Sequence, residues 1–472
     1  MSSVSALNSL LASTSSTSAI DLSQILQAAT GASTPGIDVT AAVNAAVTAA
    51  QAPETAWENQ ESALQSQSTA LTQLQTDTTN IDNDVQALNS ITGPLSARTV
   101  TSSNSSIVSA SAASGAAVGN HTVVVTSLAS TASWASGAVA SATTALAAGS
   151  FTITDSTGKA QTISTGTGTS TLNDVASTIN SDSLGVTATV VTDATGARLA
   201  IVSNTSGSAG SFSVTAGTGG LTFAAADPGL NASLTVDGIQ IASASNTVTG
   251  ALPGITLNLL NASPGTNVSL TVAPDTTQAA AAINQFVTDY NTAVSDLNTQ
   301  FTFSGSNEGP LATDSAVRSL QSTLEGALSY TYTPASGTTT MSNLSSMGIS
   351  VNNDGTLTVD SGTLNDALQN NFGDVQNFFQ GAAMNGFANS MDQQLTNFIS
   401  PADGAFTLDL SSMSTEYSGL QTDISNFETN YITPLKAQLT SDYSEAEIAL
   451  QQLPTEMQQI NTELGLNNTT SH

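Results

Sequence analysis

Residues able to do chemistry are few in this 472-residue chain, and those present lack the company that chemistry requires. There are two histidines, His121 where a strand begins and His472 at the last position. General acid–base or nucleophilic work needs a histidine beside Ser and Asp, or within a metal-ligand set. Neither has such neighbours in the sequence, and His121 reads as a surface turn residue. There is no cysteine, so disulfides, thiolate zinc sites and thiol nucleophiles are excluded. Thr165-Gly166-Thr167-Gly168 has neither the lysine nor the glycine spacing of a phosphate loop and reads as an ordinary loop. Asp82-Asn83-Asp84 and Asn352-Asn353-Asp354-Gly355 resemble calcium loops, but an EF-hand loop ends in a bidentate Glu that neither supplies. The first is expected on the exposed face of a helix and the second as a hairpin turn. Aspartate is plentiful, yet no carboxylate pair is singled out for glycoside chemistry. The expectation is a non-enzyme with no catalytic, cofactor or metal site.

Composition narrows the partners. Charged residues make up 8% of the chain, against about 25% in ordinary globular domains. Arg98, Lys159, Arg198, Arg318 and Lys436 face 35 acidic residues, for a formal charge of -30. Such a chain cannot neutralise a phosphate backbone and is repelled by anionic lipid. Nucleic acid and membrane surfaces are therefore excluded as partners. No run of apolar residues is long enough to span a bilayer. The start lacks the basic and apolar regions of a secretory signal, so export, if it occurs, is expected by a route without a cleaved signal.

The organising signal is a pair of heptad seams, one near each end. In the late segment Leu439, Tyr443, Ala446, Leu450, Leu453, Met457, Ile460 and Leu464 alternate steps of four and three. In the early segment Trp57, Leu64, Leu71 and Val85 fill one seam position, with Leu74, Ile81 and Leu88 filling the other. A stripe of this period is too narrow for a single helix to bury alone. The two ends are expected to pack on each other or on neighbouring subunits, although an antiparallel bundle core uses the same spacing. Pro434 lies where the seam steps 4-4 from Tyr431 through Leu435 to Leu439. An interior proline costs a helix about 3 kcal/mol, so a break or kink is expected there, with an uninterrupted coil from about residue 436 onward.

Between the seams the period changes. Residues 1–35, rich in Ser, Ala and Thr, read as a disordered tail with a weak amphipathic patch at Ile20, Leu22, Ile25 and Leu26. Helical patterning over 36–95 is interrupted at Pro53 and stops at Gly93-Pro94, giving two helices. Thr122–Thr126 reads as a buried strand. Short strands follow, with one helix carrying Leu172, Val175 and Ile179 on one face, and a pair at Val186–Val191 and Leu199–Val202 turning at Asp193-Ala194-Thr195-Gly196. Three more strands are expected over 234–272. After Pro274, Ile283, Phe286, Val287, Tyr290, Val294, Leu297 and Phe301 mark a strong amphipathic helix. Helices near 313–328, 363–380 and 385–399 and a hairpin at Asp354-Gly355 complete the middle, and the closing coil begins near Leu420. The fold class is multidomain α+β: N- and C-terminal helical coiled-coil or bundle regions flanking inserted antiparallel β domains. The expected divisions are a helical leg at 36–95, an inner β domain from 96–145 and 226–275, and an outer β domain at 146–225. A helical domain with a hairpin at 276–419, a coiled-coil leg at 420–466 and a tail at 467–472 follow.

The order of several short motifs resembles the flagellar filament cap, or hook-associated protein 2 (FliD), family. Gly36-Ile37-Asp38-Val39 with Val43, Val47 and Pro53 is similar to the family's opening. Gly119–Leu128 is similar to its first β strand. Thr171-Leu172-Asn173-Asp174-Val175, Ile179-Asn180 and Gly185-Val186-Thr187-Ala188 resemble a β module shared by axial flagellar proteins. Leu234–Leu259, with Asp237-Gly238, Asn246 and Gly254-Ile255-Thr256-Leu257, is the most family-like stretch. Phe286-Val287, Tyr290-Asn291, Asp314-Ser315, Gly348-Ile349, Asp354-Gly355-Thr356-Leu357, Leu364, Ala367-Leu368 and Phe378-Phe379 follow in order.

The resemblance implies a homo-oligomeric ring, commonly a pentamer, on the growing filament tip, under which exported flagellin folds and inserts. It implies flagellin, hook–filament junction proteins and an export chaperone as partners. It also implies an extracellular location at the flagellum tip, reached by the flagellar type III route. The residues expected to form coiled-coil or filament contacts are Leu64, Leu71, Leu74, Ile81, Val85, Leu88, Leu439, Tyr443, Leu450, Leu453, Met457, Ile460 and Leu464. A structural filament or junction protein shares the plan, but flagellin should begin its coil within the first residues and carry a Leu-Ser-Ser-Gly type segment. A surface adhesin requires no heptads at both ends, and a surface-acting hydrolase should show a histidine or a convergent carboxylate pair.

Overall fold

The computed structural model describes residues 38–166, 170–182, 184–217, 220–302, 309–334, 341–382 and 385–463. The expected tails at 1–35 and 467–472 and the residue Leu464 lie outside them. The chain opens with α1 (Val39–Ala50) and α2 (Ala52–Asn89), separated at Gln51. Pro53 falls in the first turn of α2, where its missing N–H is not needed. After α2 the chain turns sharply into a 3-10 turn at Pro94–Ser96. Gly93 is required there, because a Cβ would lie 2.1 Å from the Ala87 carbonyl oxygen.

Strands follow in the order β1 (Arg98–Ser102), β2 (Val108–Ala112), β3 (Gly119–Ser127), β4 (Thr131–Ser136), β5 (Gly149–Asp155) and β6 (Ala160–Thr165). Helix α3 (Leu172–Ser181) precedes β7 (Val186–Asp193), β8 (Gly196–Ser206), β9 (Phe212–Ala216), β10 (Phe223–Asp227), β11 (Ala232–Val236), β12 (Ile239–Ser243), β13 (Thr247–Leu252), β14 (Ile255–Leu259) and β15 (Val268–Pro274). The remaining elements are α4 (Thr276–Gln300), α5 (Ser315–Ala327), β16 (Ile349–Val351), β17 (Leu357–Val359), α6 (Ser361–Asn370), α7 (Phe372–Gln380), α8 (Phe387–Ile399), α9 (Ala405–Phe427) and α10 (Thr433–Glu463). Helix α9 thus begins well before the expected start near Leu420. The stretch expected to hold three strands holds five, β11 to β15, because Asp237-Gly238 closes a hairpin onto the short edge strand β12.

The chain divides into two compact units. One, of Met1–Thr79, Thr292–Leu324 and Gln394–His472, is helical in its described residues. The other, of Asn80–Asn291 and Glu325–Gln393, contains the sheets. Its first β core lies between an antiparallel sheet ordered β1-β15-β3-β11-β12 and another ordered β13-β14-β2. Alternation with period two places Val123 and Val125, Leu234 and Val236, and Val268, Leu270 and Val272 together in that core, with Leu257 and Leu259 from the second sheet. A second core joins the sheets β10-β4-β8-β7 and β6-β5-β9 with α3, whose Leu172, Val175 and Ile179 are buried. It begins at Ala132, earlier than the expected boundary at 146, because β4 pairs with β8. Helix α3 carries a capping box, Thr171 accepting from the Asp174 N–H while the Asp174 carboxylate accepts from the Thr171 N–H.

With so few ionic partners available, side-chain amides and hydroxyls fasten the connections. Three asparagines each bond both backbone groups of a single residue, as a paired strand would. Asn180 holds Ala188 (2.9 and 2.8 Å), Asn246 holds Ala129 (3.0 and 2.7 Å) and Asn291 holds Leu357 (2.8 and 2.6 Å). Hairpins repeat another device: Asp155, Asp193 and Asp354 each accept from the N–H and hydroxyl of the threonine two residues on. These bonds to the ionised form hold all three carboxyls below their ordinary values. Asp354 therefore acts as a turn former in the hairpin β16–β17, as its Asp-Gly sequence suggests.

Asn291→Ala should leave the N–H and C=O of Leu357 without these partners. The expected loss is about 1–3 kcal/mol in urea unfolding, with Asn291→Asp failing to restore it because a carboxylate cannot donate.

Candidate interaction surface

In the helical unit the two ends of the chain run antiparallel. The ring of Trp57 on α2 meets Phe427 at the end of α9 edge-on, with centroids 5.4 Å apart. Gln60 donates to Glu416 (2.8 Å), Gln421 to Glu61 (3.0 Å) and Gln75 to Thr407 (3.3 Å), so rising numbers on α2 meet falling numbers on α9. Helix α1, capped by Asp38, extends the pairing. Val43 and Val47 are buried with Ile432, and Val39, Ala50, Phe427, Leu439 and Tyr443 pack around them.

The two seams meet different fates. Among the early residues, Leu64, Leu71 and Leu74 are buried in the helical unit, and Ile81, Val85 and Leu88 are buried in the other. All six are core residues of the folded chain, at 8% exposure for Leu64 and 1% or less for the rest. In the late seam Leu439 and Tyr443 cover the α1 cluster and Leu450 is half-buried. Beyond it the stripe is bare: Leu453 is 46% exposed, Met457 57% and Ile460 53%. Thus α10 presents a heptad seam whose first part has a partner within the chain and whose last described turns have none among the described residues.

The helix is not broken at Pro434. A π turn at Glu428–Ile432 joins α9 to α10, and the Thr433 N–H donates to the Glu428 carbonyl five residues back. That wider turn accommodates a proline ring, which in α register clashes with the carbonyl four residues earlier. The proline inside α10 is Pro454, where the helix loses the N–H that would bond the Leu450 carbonyl. The seam after residue 436 is therefore interrupted in hydrogen bonding, within its exposed part.

Chemistry elsewhere is structural. His121 Nδ1 lies 2.8 Å from Asp237 Oδ2, and the Thr122 N–H donates to Asp237 Oδ1 at 2.8 Å. These bonds, with His121 contributing most, hold the Asp237 carboxyl below its ordinary value. Asp237 has φ 51°, so the pair clamps a left-handed turn onto β3. His121 thus has an aspartate partner that sequence neighbours did not reveal; only the pairing of β3 with β11 brings them together. Asp82, expected on an exposed face, is buried instead. A groove in the helical unit, about 390 Å³ and lined by Glu54, Glu61, Gln421, Ile424, Ser425, Glu428 and Thr429, offers three carboxylates but no histidine, cysteine or basic residue. Among the described residues there is no group of three or more His, Cys, Asp and Glu that could hold a metal ion. No described helix is long and apolar enough to cross a membrane.

Helical segments thus flank inserted antiparallel sheets in the chain, and the last described helix carries a bare heptad stripe. The N-terminal and C-terminal profiles of flagellar hook-associated protein 2 match residues 35–132 and 229–455, and a flagellin hook IN motif matches 150–205. The chain is 30% identical over 328 residues to the B-type flagellar hook-associated protein 2 of Pseudomonas aeruginosa, spanning 62% of this chain and 68% of that one. It is 28% identical over 310 residues to flagellar hook-associated protein 2 of Aeromonas caviae, spanning 60% and 65%. The crystal structure of the D1-D2-D3 domains of the flagellar cap protein FliD from Escherichia coli superimposes with a TM-score of 0.59 at 26% identity, over 73% of this chain and 99% of that one. The chain belongs to the flagellar hook-associated protein 2 (FliD) family.

Exposed and buried seam residues should separate cleanly in stability. Leu453→Ser, Met457→Ser and Ile460→Ser should each change thermal unfolding by no more than about 0.5 kcal/mol. Leu71→Ala should cost about 2–5 kcal/mol. Pro454→Ala should slow amide exchange over residues 450–458 by restoring the missing helical bond.

Proposed function

We propose that this chain is a flagellar filament cap subunit, forming a homo-oligomeric ring at the filament tip and promoting the folding and insertion of exported flagellin. It leaves the cell by the flagellar type III route and works outside it. Flagellin, the hook–filament junction proteins and an export chaperone are its partners. The observation that carries this reading is the bare stripe of Leu453, Met457 and Ile460, continuing a seam that Leu439 and Tyr443 use within the chain. A heptad stripe half exposed to water is stabilised by a second apolar surface, and filament subunits or neighbouring cap subunits supply one. Family membership and the likeness to a solved flagellar cap protein support the same reading. The early seam contributes differently: its buried leucines build the helical leg, while the late seam makes the contact.

Deletion of the gene should leave cells with hooks but no filaments, and flagellin monomer should accumulate in the medium. Normal filaments in the deletion strain would refute the cap role. Leu453→Asp with Met457→Asp should be secreted, keep the β cores folded by circular dichroism, and fail to restore filaments. Full restoration by that variant would show that the stripe is not the contact.

A further inference from the structure

The last turns of α2 carry two aspartates, each facing another acid across a helix interface. Asp82 is 6% exposed. Its Oδ2 accepts from Gln86 Nε2 at 2.8 Å, and the same amide nitrogen donates to Asp392 Oδ1 on α8 at 2.9 Å. Its Oδ1 has no hydrogen-bond donor among the described residues. On another side of α2, Asp84 meets Asp289 of α4, which accepts from Gln285 at 3.0 Å, and Asp84 Oδ2 also lacks a donor among the described residues. Each pair thus has a glutamine amide on one flank. No lysine, arginine or histidine contributes to the charge balance of either Asp82 or Asp84. Glu325, the other acid acting on α4 here, faces Tyr290 and adds negative charge.

Two ionised carboxylates in contact repel, and a buried carboxylate oxygen without a donor is costly. A single proton in each pair removes both penalties, because it makes one carboxyl the donor its neighbour lacks. We propose that two shared protons, one between Asp82 and Asp392 and one between Asp84 and Asp289, latch the end of α2 to α8 and α4. Losing them loosens this helical region. Burial, followed by the charge of Asp392, raises Asp82 to about 7. Burial, followed by the hydrogen bond to Asp289 and its charge, raises Asp84 to about 7. An acid whose folded value is raised stabilises the fold fully below its unfolded value of about 3.9, and that contribution disappears as pH rises through the folded value. The latch is therefore closed in mild acid and opens through neutrality, opposite in sense to the hairpin aspartates, whose contribution is lost as pH falls.

The test is thermal unfolding of the full chain between about pH 5 and about pH 8 at fixed ionic strength, with amide exchange read at residues 80–89 and 387–393. The wild type should lose at least about 5 °C of unfolding midpoint over that range. Exchange in those two segments, corrected for the intrinsic pH dependence, should rise. Asp392→Asn combined with Asp289→Asn replaces each proton by a permanent amide donor, and should at least halve the midpoint loss while keeping the segments protected at the higher pH. A wild type with a flat midpoint overturns the proposal. So does a double variant that folds but keeps the full loss. If the double variant fails to fold, Gln86→Leu, which removes the amide flanking the first pair but leaves the shared proton, decides the matter. A retained pH-dependent midpoint loss there supports the latch, and an abolished loss overturns it.

Discussion

Antiparallel contact between the two ends of the chain is the constraint on which the helical unit depends. Trp57 against Phe427 and the α1 valines against Ile432, Leu439 and Tyr443 close a loop of several hundred residues. Loop closure costs entropy that grows only slowly with length, so a large insert between the paired ends is tolerated. The strands between them fold on their own cores, with hairpins and neighbouring strands supplying the hydrogen bonds. A small set of buried apolar contacts at the termini thereby leaves the middle of the chain free to be built from separate β modules.

The chain's charge imbalance shapes everything else. With five basic residues and 35 acidic ones, most carboxylates cannot find a cation. Those in hairpins accept from threonine and backbone donors, and Asp174 caps its own helix. Along the exposed helices, threonine and serine hydroxyls bond carbonyls four residues back, as Thr69, Thr72, Thr422 and Thr440 do. Polar contact is thus made largely by neutral groups, and the buried Asp82 has a second acid, Asp392, as its neighbour.

Period and punctuation made much of this legible. The helical patterning of α2, the strand at β3, the single apolar face of α3 and the turn at Gly93-Pro94 were legible, because local geometry decides them. What escaped the sequence depended on distant partners. Asp82 sits in a polar triplet that looks solvent-facing, yet it is buried beside Asp392 of α8. His121 gains Asp237 through strand pairing across more than a hundred residues. For the late seam, the spacing was visible, but which part of it α1 covers was not. The 4-4 step from Tyr431 to Leu439, read as a break or kink, marks a residue inserted into a continuous helix.

That inserted residue has a rotational consequence. One residue of α-helix turns the side-chain direction by about 100°, so the π turn at Glu428–Ile432 resets the phase between α9 and α10. The face of α9 that meets α2 and the face of α10 that carries Leu453, Met457 and Ile460 are thereby set as independent azimuths on one continuous rod. Removing a single residue from the π turn would leave every side chain of α10 intact yet aim its bare stripe in another direction. The chain thus encodes the bearing of its bare apolar stripe in the length of one helical turn rather than in the identity of the residues that form it.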